Sequence, residues 1–273
     1  MLHFDFMRHA FIAGTIVSIM CGVIGVYVIA RNHSFVAHVF SHIGFSGSSF
    51  AVYMGFNPLN GFLLFTVVSA LAMGQMGVKV FRREVSINVI LSLSLGLGLL
   101  FLSLSTKHAN SMASLLFGNI LGINANAVWQ ISLLSMLVLV LLFLGYRMLN
   151  FDSFDPVGAQ AAGLPSRFIS IAFLLLLAVA TAEASQMVGA LMVFTLMTIP
   201  AAAARHLSRS IGSMIVIAAL IAIIGVWTGL VVGYYSNLPI TFLITAFEGV
   251  LYFASFGWCV LRERMTPHEA TAV

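Results

Sequence analysis

The chain has 273 residues, of which 61% are hydrophobic and only 7% are charged, and its formal net charge is +4. About a quarter of the residues in an average soluble domain are charged, so a water-soluble globular protein is excluded and most of the exterior must face lipid. The basic residues form no patch or run, and this excludes nucleic acid as the partner that explains the positive charge.

Apolar runs of membrane-spanning length recur along the whole chain. A transmembrane helix needs about 20 predominantly apolar residues, whereas the strands of a membrane barrel alternate over about 10. We therefore predict an all-α, polytopic membrane bundle of about eight or nine transmembrane helices, forming a single domain over residues 1–273. The nine candidate spans are residues 10–30, 34–55, 59–78, 85–105, 128–146, 168–186, 187–204, 211–235 and 240–261.

Three further features complete this map. The first apolar run is longer than the core of a signal peptide and has no convincing cleavage site, so it is interpreted as a permanent span. The segment 110–124 is too short to cross a membrane and polar at both ends, which predicts a re-entrant or surface helix. Cys21 and Cys259 lie in apolar runs without a CxxC or metal-ligand spacing, and this indicates buried thiols rather than a disulfide.

The distribution of Lys and Arg predicts the orientation of the chain. If the loop that contains Arg82 and Arg83 is cytoplasmic, ten basic residues face the cytoplasm and only Arg8 and Lys107 face outward. This orientation places the N-terminus outside, the C-terminus inside and the hydrophilic loop 150–167 in the cytoplasm. The ten inward-facing basic residues are Arg31, Lys79, Arg82, Arg83, Arg147, Arg167, Arg205, Arg209, Arg262 and Arg264.

His38 and His42 are the first candidate functional residues. Residues four positions apart lie on one helix face, and Ser34 and Ser41 extend this polar stripe within a predicted span. Two neutral imidazoles can share a transition metal such as zinc, with a serine hydroxyl or a backbone carbonyl holding the second nitrogen of each ring. Equally, the two histidines can bond neighbouring helices near the interface, and the spacing favours neither interpretation.

Two acidic residues lie inside predicted spans. Glu248 is near the middle of the last span, with Thr241, Thr245 and Tyr252 on its face, so that it can line a polar pathway. Glu183 lies towards the outer end of its span, from which it can reach the interface. For both, an interhelical hydrogen bond or a protonated carboxyl group is the competing interpretation, and it is favoured over contact with a transported cargo.

The loop 150–167 contains the signals of a short helix. Asp155 can cap a helix whose first residue is Pro156, and Gly163 followed by Pro165 can end it. A surface helix of about two turns is therefore predicted. It is either an ordinary feature of a cytoplasmic loop or a compact docking element for a soluble partner, and the spacing does not choose between them.

Several segments, taken together, resemble one protein family. The sequence has no phosphate-binding loop of the form G-x-x-x-x-G-K-[ST], so any energy source must be external. The chain is similar to the permease subunits of the zinc, manganese and iron class of bacterial ABC importers. The resemblance is carried, in chain order, by S34-F-V-A-H-V-F-S-H with Gly44, by L116-F-G-N-I-L, by D155-P-V-G-A-Q-A-A-G-L and by V188-G-A-L-M-V-F-T-L-M-T-I-P-A-A-A-A-R.

This resemblance implies a multi-pass protein of the bacterial cytoplasmic membrane that forms a homodimer. It implies a separate cytoplasmic ATPase, which binds and hydrolyses ATP, and an extracytoplasmic metal-binding protein as partners. The segment 155–163 would then be the coupling helix, with Asp155, Pro156, Ala159 and Gly163 as its signature residues. The permease itself would be neither an enzyme nor the holder of a resident cofactor.

The metal site implied by the resemblance differs from the usual family pattern. The family usually has Asp-x-x-x-His on the second span, and His38 occupies the aspartate position here while His42 is retained. A dimer would offer four imidazoles, which suit zinc better than manganese, since manganese prefers oxygen ligands. Zinc is therefore the expected cargo, with manganese, iron or a metal chelate as alternatives.

Two other function classes remain as alternatives. A proton-coupled secondary metal carrier would use Glu183 and Glu248, but it would leave the resemblance of the loop 150–167 unexplained. A membrane metalloenzyme of the HxxxH type needs about eight ligands, and the other histidines form no second cluster with that spacing.

Overall fold

The computed structural model describes residues 4–76, 84–105, 114–190, 192–208, 210–236 and 238–265, and every regular element in these ranges is helical. Residues 114–117 form one helical turn, and Ile120–Gly122 forms a 3-10 helix. The longer helices are α1 (Asp5–Ala30), α2 (Ser34–Met54), α3 (Pro58–Met76), α4 (Glu84–Leu104), α5 (Ala125–Leu144), α6 (Tyr146–Phe154), α7 (Pro156–Ala161), α8 (Ser166–Val188), α9 (Val193–Leu207), α10 (Ile211–Ser236) and α11 (Ile240–Met265).

The predicted all-α membrane bundle is confirmed. Within the described residues, α1, α3, α5, α8, α10 and α11 are long and apolar enough to cross a membrane. The other three predicted spans are also helical: they correspond to α2, to α4 with its apolar stretch Asn88–Leu104, and to the 15-residue α9. Of the basic residues used to predict the orientation, Lys79, Arg82, Arg83, Lys107 and Arg209 lie outside the described residues.

Helix α1 forms the centre of the bundle. It packs against α5, α8, α9 and α10, and its buried face includes Cys21. Gly25 allows the closest approach, because a Cβ atom there would lie 2.0 Å from the carbonyl oxygen of Met197 on α9. Neither cysteine forms a disulfide in the described structure, as predicted; Cys21 is fully buried, whereas Cys259 is partly exposed rather than buried. Helix α2 packs between α3 and α4 and also contacts α8 and α9.

One predicted boundary was wrong. The sequence suggested that one span ends at residue 186 and the next begins at 187, whereas α8 continues to Val188 and α9 begins only at Val193. Gly189 ends α8 with a φ of 82°, a conformation that strongly favours glycine. Of the residues assigned to the start of the next span, Ala190 and Met192 thus lie between the two helices, and residue 191 lies outside the described residues.

The predicted helix over 110–124 is interrupted in the part that the structure describes; residues 110–113 lie outside that part. Gly118, with a φ of 77°, stands between the helical turn at 114–117 and the 3-10 helix. It packs directly on Gly189, and the backbone N–H of Ala190 donates to the carbonyl of Leu115 over 3.1 Å. The segments that begin at Leu116 and Val188, both of which carry the family resemblance, are thus in direct backbone contact.

The predicted short helix in the loop 150–167 is present as α7. The Asp155 carboxylate accepts a 2.9 Å hydrogen bond from the backbone N–H of Gly158, and Pro156 lies in the first turn. Gly163 follows the helix with a φ of 75°. The helix α6, which ends at Phe154, was not predicted, because the sequence from residue 150 was interpreted as loop.

Candidate functional site

The two predicted site histidines lie side by side on α2. The ring centroids of His38 and His42 are 4.8 Å apart, with the ring planes at 79° to each other. This proximity follows from the helix itself, because residues at positions i and i+4 occupy one face in successive turns. A single cation can therefore contact both rings without any change of the backbone.

The surroundings of the pair are mainly apolar. His42 is 9% exposed, and the His38 ring packs against Phe194 of α9 with ring centroids 5.0 Å apart. The Nδ1 atom of His38 is buried and has no hydrogen-bond partner among the described residues. A neutral imidazole carries one unprotonated nitrogen, which is the atom that binds a metal ion. The pair thus has an apolar neighbour, Phe194, and a buried ring nitrogen of His38 that makes no hydrogen bond in the described structure.

The neighbouring serines bond to the helix backbone. Ser41 donates to the carbonyl of His38 over 2.8 Å, and Ser46 donates to the backbone carbonyl of Ser94 on α4. Ser34 is half-buried at the first position of α2. Ser41 and Ser34 therefore extend the polar stripe that the sequence predicted, but the Ser41 hydroxyl is committed to the backbone rather than to a ring nitrogen.

One copy of the chain supplies only two nitrogen ligands at this place. Among the described residues, no group of three or more His, Cys, Asp or Glu side chains could hold a metal ion. A closed zinc site has four ligands. A cation at His38 and His42 therefore needs further ligands from water, from the cargo itself or from a second copy of the chain.

The two intramembrane glutamates lie elsewhere in the bundle. Glu248 is fully buried on α11, where its side chain packs on Gly225 of α10, and both of its carboxyl oxygens lack a hydrogen-bond partner in the described structure. The Thr245 hydroxyl on the same face bonds to the carbonyl of Thr241. The structure does not bring Glu248 into a metal-binding cluster with the histidines.

The side chain of Glu183 points into the bundle rather than towards its surface. Glu183 is fully buried, and the hydroxyl of Ser135 on α5 donates to its Oε1 atom. The orientation of α8 turns this side chain inward, against α5. The interhelical hydrogen bond that was the competing interpretation from the sequence is the arrangement that the structure shows.

The coupling-helix residues have different exposures. Asp155 is exposed at the N-terminus of α7, and Gly163 is exposed beyond its end, whereas Ala159 is fully buried and packs the helix against the bundle. Val157, the second residue of α7, is 80% exposed. Sequence reasoning had not singled out Val157, because a lone valine in a polar loop carries no signal of its own.

A second feature missed in the sequence is a cavity at the end of the bundle opposite to α7. It has a volume of about 290 Å³ and lies between α2, α3, α5 and α8. Its polar lining includes Asn57, Asn119 and Gln186, and the Gln186 Nε2 atom is buried without a partner in the described structure. Phe45, one turn beyond His42, also lines this cavity. The cavity therefore lies next to the histidine pair on the side away from α7.

A family model described as the ABC 3 transport family matches residues 3–258, which is most of the chain. The chain belongs to the ABC 3 transport family. Its membership, together with the apolar helices, makes it a multi-pass membrane protein and a transport permease. In such permeases ATP is hydrolysed by a separate ATPase subunit, so this ABC 3 family chain is not itself an enzyme.

Relatives of this ABC 3 family chain match it over nearly its full length. The uncharacterized membrane protein slr2045 of Synechocystis sp. is 31% identical, with 94% of this chain and 92% of that protein covered. The manganese transport system membrane protein MntC of Listeria monocytogenes is 29% identical, with 94% and 91% covered. The solved structure of PsaBC from Streptococcus pneumoniae in complex with Fab superposes with a TM-score of 0.85 at 25% identity, covering 93% of this chain and 91% of that chain.

Proposed function

We propose that two copies of this chain form the membrane pathway of an ATP-driven importer for a divalent transition metal in the bacterial cytoplasmic membrane. The observation that carries the proposal is the pair of imidazoles, His38 and His42, held 4.8 Å apart on a helix inside the bundle. The names of the relatives support the same class of cargo, since they include manganese transport and manganese import permeases.

Zinc is the cargo that we propose first. Imidazole nitrogen binds zinc, copper and ferrous iron well, whereas manganese prefers oxygen ligands. The relatives with assigned cargoes are named for manganese, and His38 occupies the position where the family usually has an aspartate. Loss of that carboxylate removes an oxygen ligand, and this disfavours manganese relative to zinc. The loss of negative charge weakens the attraction for either dication alike.

Transport would use the pair as a transient resting place. The metal ion enters from the extracytoplasmic metal-binding protein, at the end of the bundle that contains the cavity lined by Asn57, Asn119 and Gln186. The four imidazoles of two copies then hold it as neutral ligands. Because no carboxylate binds the ion there, the site holds it less tightly than a charged cage would, and this allows release to the cytoplasmic side.

The energy would come from the ATPase through α7. This helix is short, capped and exposed, and Val157 is its most prominent apolar side chain. Burial of this apolar side chain against a partner would contribute favourably to docking. Closure of the ATPase pair on ATP would move α7 and change which end of the histidine site is open.

The test is metal uptake by the permease reconstituted with its ATPase in vesicles loaded with ATP. Uptake of ⁶⁵Zn should fall at least tenfold with His38→Ala or His42→Ala, because each substitution removes ligands from the site. His206→Ala is the matched control, since the His206 ring makes edge-to-face contacts with Tyr252 and Phe256, away from the pair. Normal uptake by both site variants would overturn the assignment of the site.

A further inference from the structure

A buried ion pair joins two distant parts of the chain at the α7 end of the bundle. The Arg31 guanidinium donates to the Asp152 carboxylate over 2.7 Å, and each side chain is only 6% exposed. The partners are 121 positions apart in the sequence. The pair lies outside both α7 and the histidine site, since Arg31 follows α1 and Asp152 lies on α6.

The Arg31 guanidinium makes further hydrogen bonds and lies over an aromatic ring, and these contacts hold it in place. Its guanidinium donates to the Ser153 hydroxyl over 2.8 Å and to the Ser170 hydroxyl over 3.4 Å, and it lies 5.1 Å from the centre of the Phe173 ring. Burying two charges costs several kcal/mol per ion unless geometry and additional hydrogen bonds offset the cost. Arg31 is therefore held in one position relative to both α6 and α8.

The two ends of the pair have different neighbours in the chain. Asp152 lies on α6, three residues before Asp155, which caps α7. Arg31 follows the last residue of α1, and a turn of three residues, in which Asn32 has a φ of 55°, leads to the first residue of α2. The pair thus ties the start of the docking helix to the start of the helix that carries the histidines.

The start of α2 is held by the same group of side chains. His33, the residue before α2, is buried with its ring stacked on Phe173, the centroids being 5.8 Å apart and the planes at 24°. His38 follows five residues later, about 7 Å along the helix axis. A displacement of Arg31 would therefore reach the candidate metal site through the turn at residues 31–33 and the first part of α2.

We propose that the Arg31–Asp152 pair is the link that transmits the movement of α7 to α2, so that these two residues position the metal site in response to the ATPase. The inference rests on the proposed function, because it assumes that α7 meets an ATPase and that His38 and His42 face the cargo. The two residues act on transport through α2, and neither contacts the cargo.

The experiment compares variants of the reconstituted complex of permease and ATPase. Arg31→Gln and Asp152→Asn each leave one buried charge without its partner, whereas the double variant removes both charges. Arg31→Lys keeps the positive charge but can form fewer of the hydrogen bonds that the guanidinium makes. Arg8→Gln is the matched control, since Arg8 pairs with Asp5 at the other end of α1 at 3.7 Å, with side chains that are 62% and 86% exposed.

The readout is the amount of ⁶⁵Zn transported per ATP hydrolysed. We expect this ratio to fall at least tenfold in both single variants and in the double variant, while ATP hydrolysis continues. Arg31→Lys should recover at least half of the wild-type ratio, and Arg8→Gln should match the wild type. If the pair only stabilises the fold, the double variant regains the wild-type ratio, since it leaves no unpaired buried charge; that result would overturn the inference.

A second readout keeps the inference separate from the proposed cargo. Phe35, 65% exposed on the first turn of α2, is replaced by cysteine in a Cys259→Ser background, and the labelling rate of its thiol is measured with and without ATP. ATP should change this rate in the otherwise wild-type complex and leave it unchanged when Arg31 and Asp152 are neutralised. If the complex transports no zinc but ATP still changes the labelling rate at α2, only the proposal of zinc as the cargo is rejected. If ATP changes the labelling rate equally with and without the Arg31–Asp152 pair, the proposal that this pair links α7 to α2 is rejected.

Discussion

The rings of His38 and His42 are in contact, so a change at either residue would change the donor set of the whole proposed site. In that proposed site the type of donor atom would set the selectivity for the metal. Nitrogen donors alone favour zinc, and a mixture of nitrogen and carboxylate oxygen is more favourable to manganese. His38 is the position at which the donor type differs from the usual family pattern.

Replacing His38 with aspartate should therefore shift the preference of the transporter towards manganese. We expect the ratio of manganese to zinc uptake to rise at least tenfold in His38→Asp, since the new carboxylates replace nitrogen ligands with oxygen ligands. Ser34→Asp is the matched control, because it adds the same charge one turn earlier on α2 without entering the pair. An unchanged ratio, measured with both metals in competition, would show that His38 does not select the metal.

Glu183 is a structural residue in this arrangement, since its Oε1 accepts a hydrogen bond from Ser135 across two packed helices. Glu183→Gln retains an acceptor and a similar volume, and we expect its melting temperature in detergent to stay close to that of the wild type. Glu183→Ala leaves a cavity and an unpaired Ser135 hydroxyl, at a cost of about 2–4 kcal/mol, and should melt clearly earlier. Equal melting temperatures for the two variants would contradict this role.

The helices differ in how well the sequence predicted them. Continuous apolar runs identified each long helix, because lipid requires every backbone group to be satisfied within its own segment. The α7 helix was also predicted correctly, since its cap and its glycine stop are local signals. Contacts across elements, such as Arg31 with Asp152 or Gly118 with Gly189, were not predicted, because they depend on how the helices rotate and pack.

The same distinction applies to the candidate site. The pairing of His38 and His42 follows from one helical turn, so the sequence was sufficient to predict it. The contact of His38 with Phe194 and the inward rotation of Glu183 required the packed bundle. Local spacing therefore predicts pairs within one helix, while the neighbours of such a pair become known only with the tertiary structure.

At the level of one element, α7 should be the docking point of the ATPase. Val157→Glu places a charge on its most exposed apolar side chain and should reduce co-purification of the ATPase at least tenfold, because burying an unpaired charge at an interface is costly. Leu238→Glu, at an exposed apolar residue in the link between α10 and α11, tests whether a new surface charge alone has this effect. Undiminished co-purification with Val157→Glu would exclude α7 as the main contact.

For the whole molecule, the number of ligands is the argument for two copies. Each chain contributes two imidazoles, and a zinc ion prefers four ligands, so a twofold axis near α2 would complete the site. A symmetric pair of this kind presents the same surface from both subunits. The complete transport site would then belong to neither copy alone.

A complex with one intact and one altered copy distinguishes a shared site from two independent ones. The intact chain and a His38→Ala/His42→Ala chain carry different affinity tags, and two successive purifications isolate the mixed complex with its ATPase. If the site is shared, the mixed complex has only two of the four imidazoles, and its ⁶⁵Zn uptake should fall at least tenfold. Two independent pathways would leave about half of the uptake, and complexes of two intact, differently tagged chains provide the reference value.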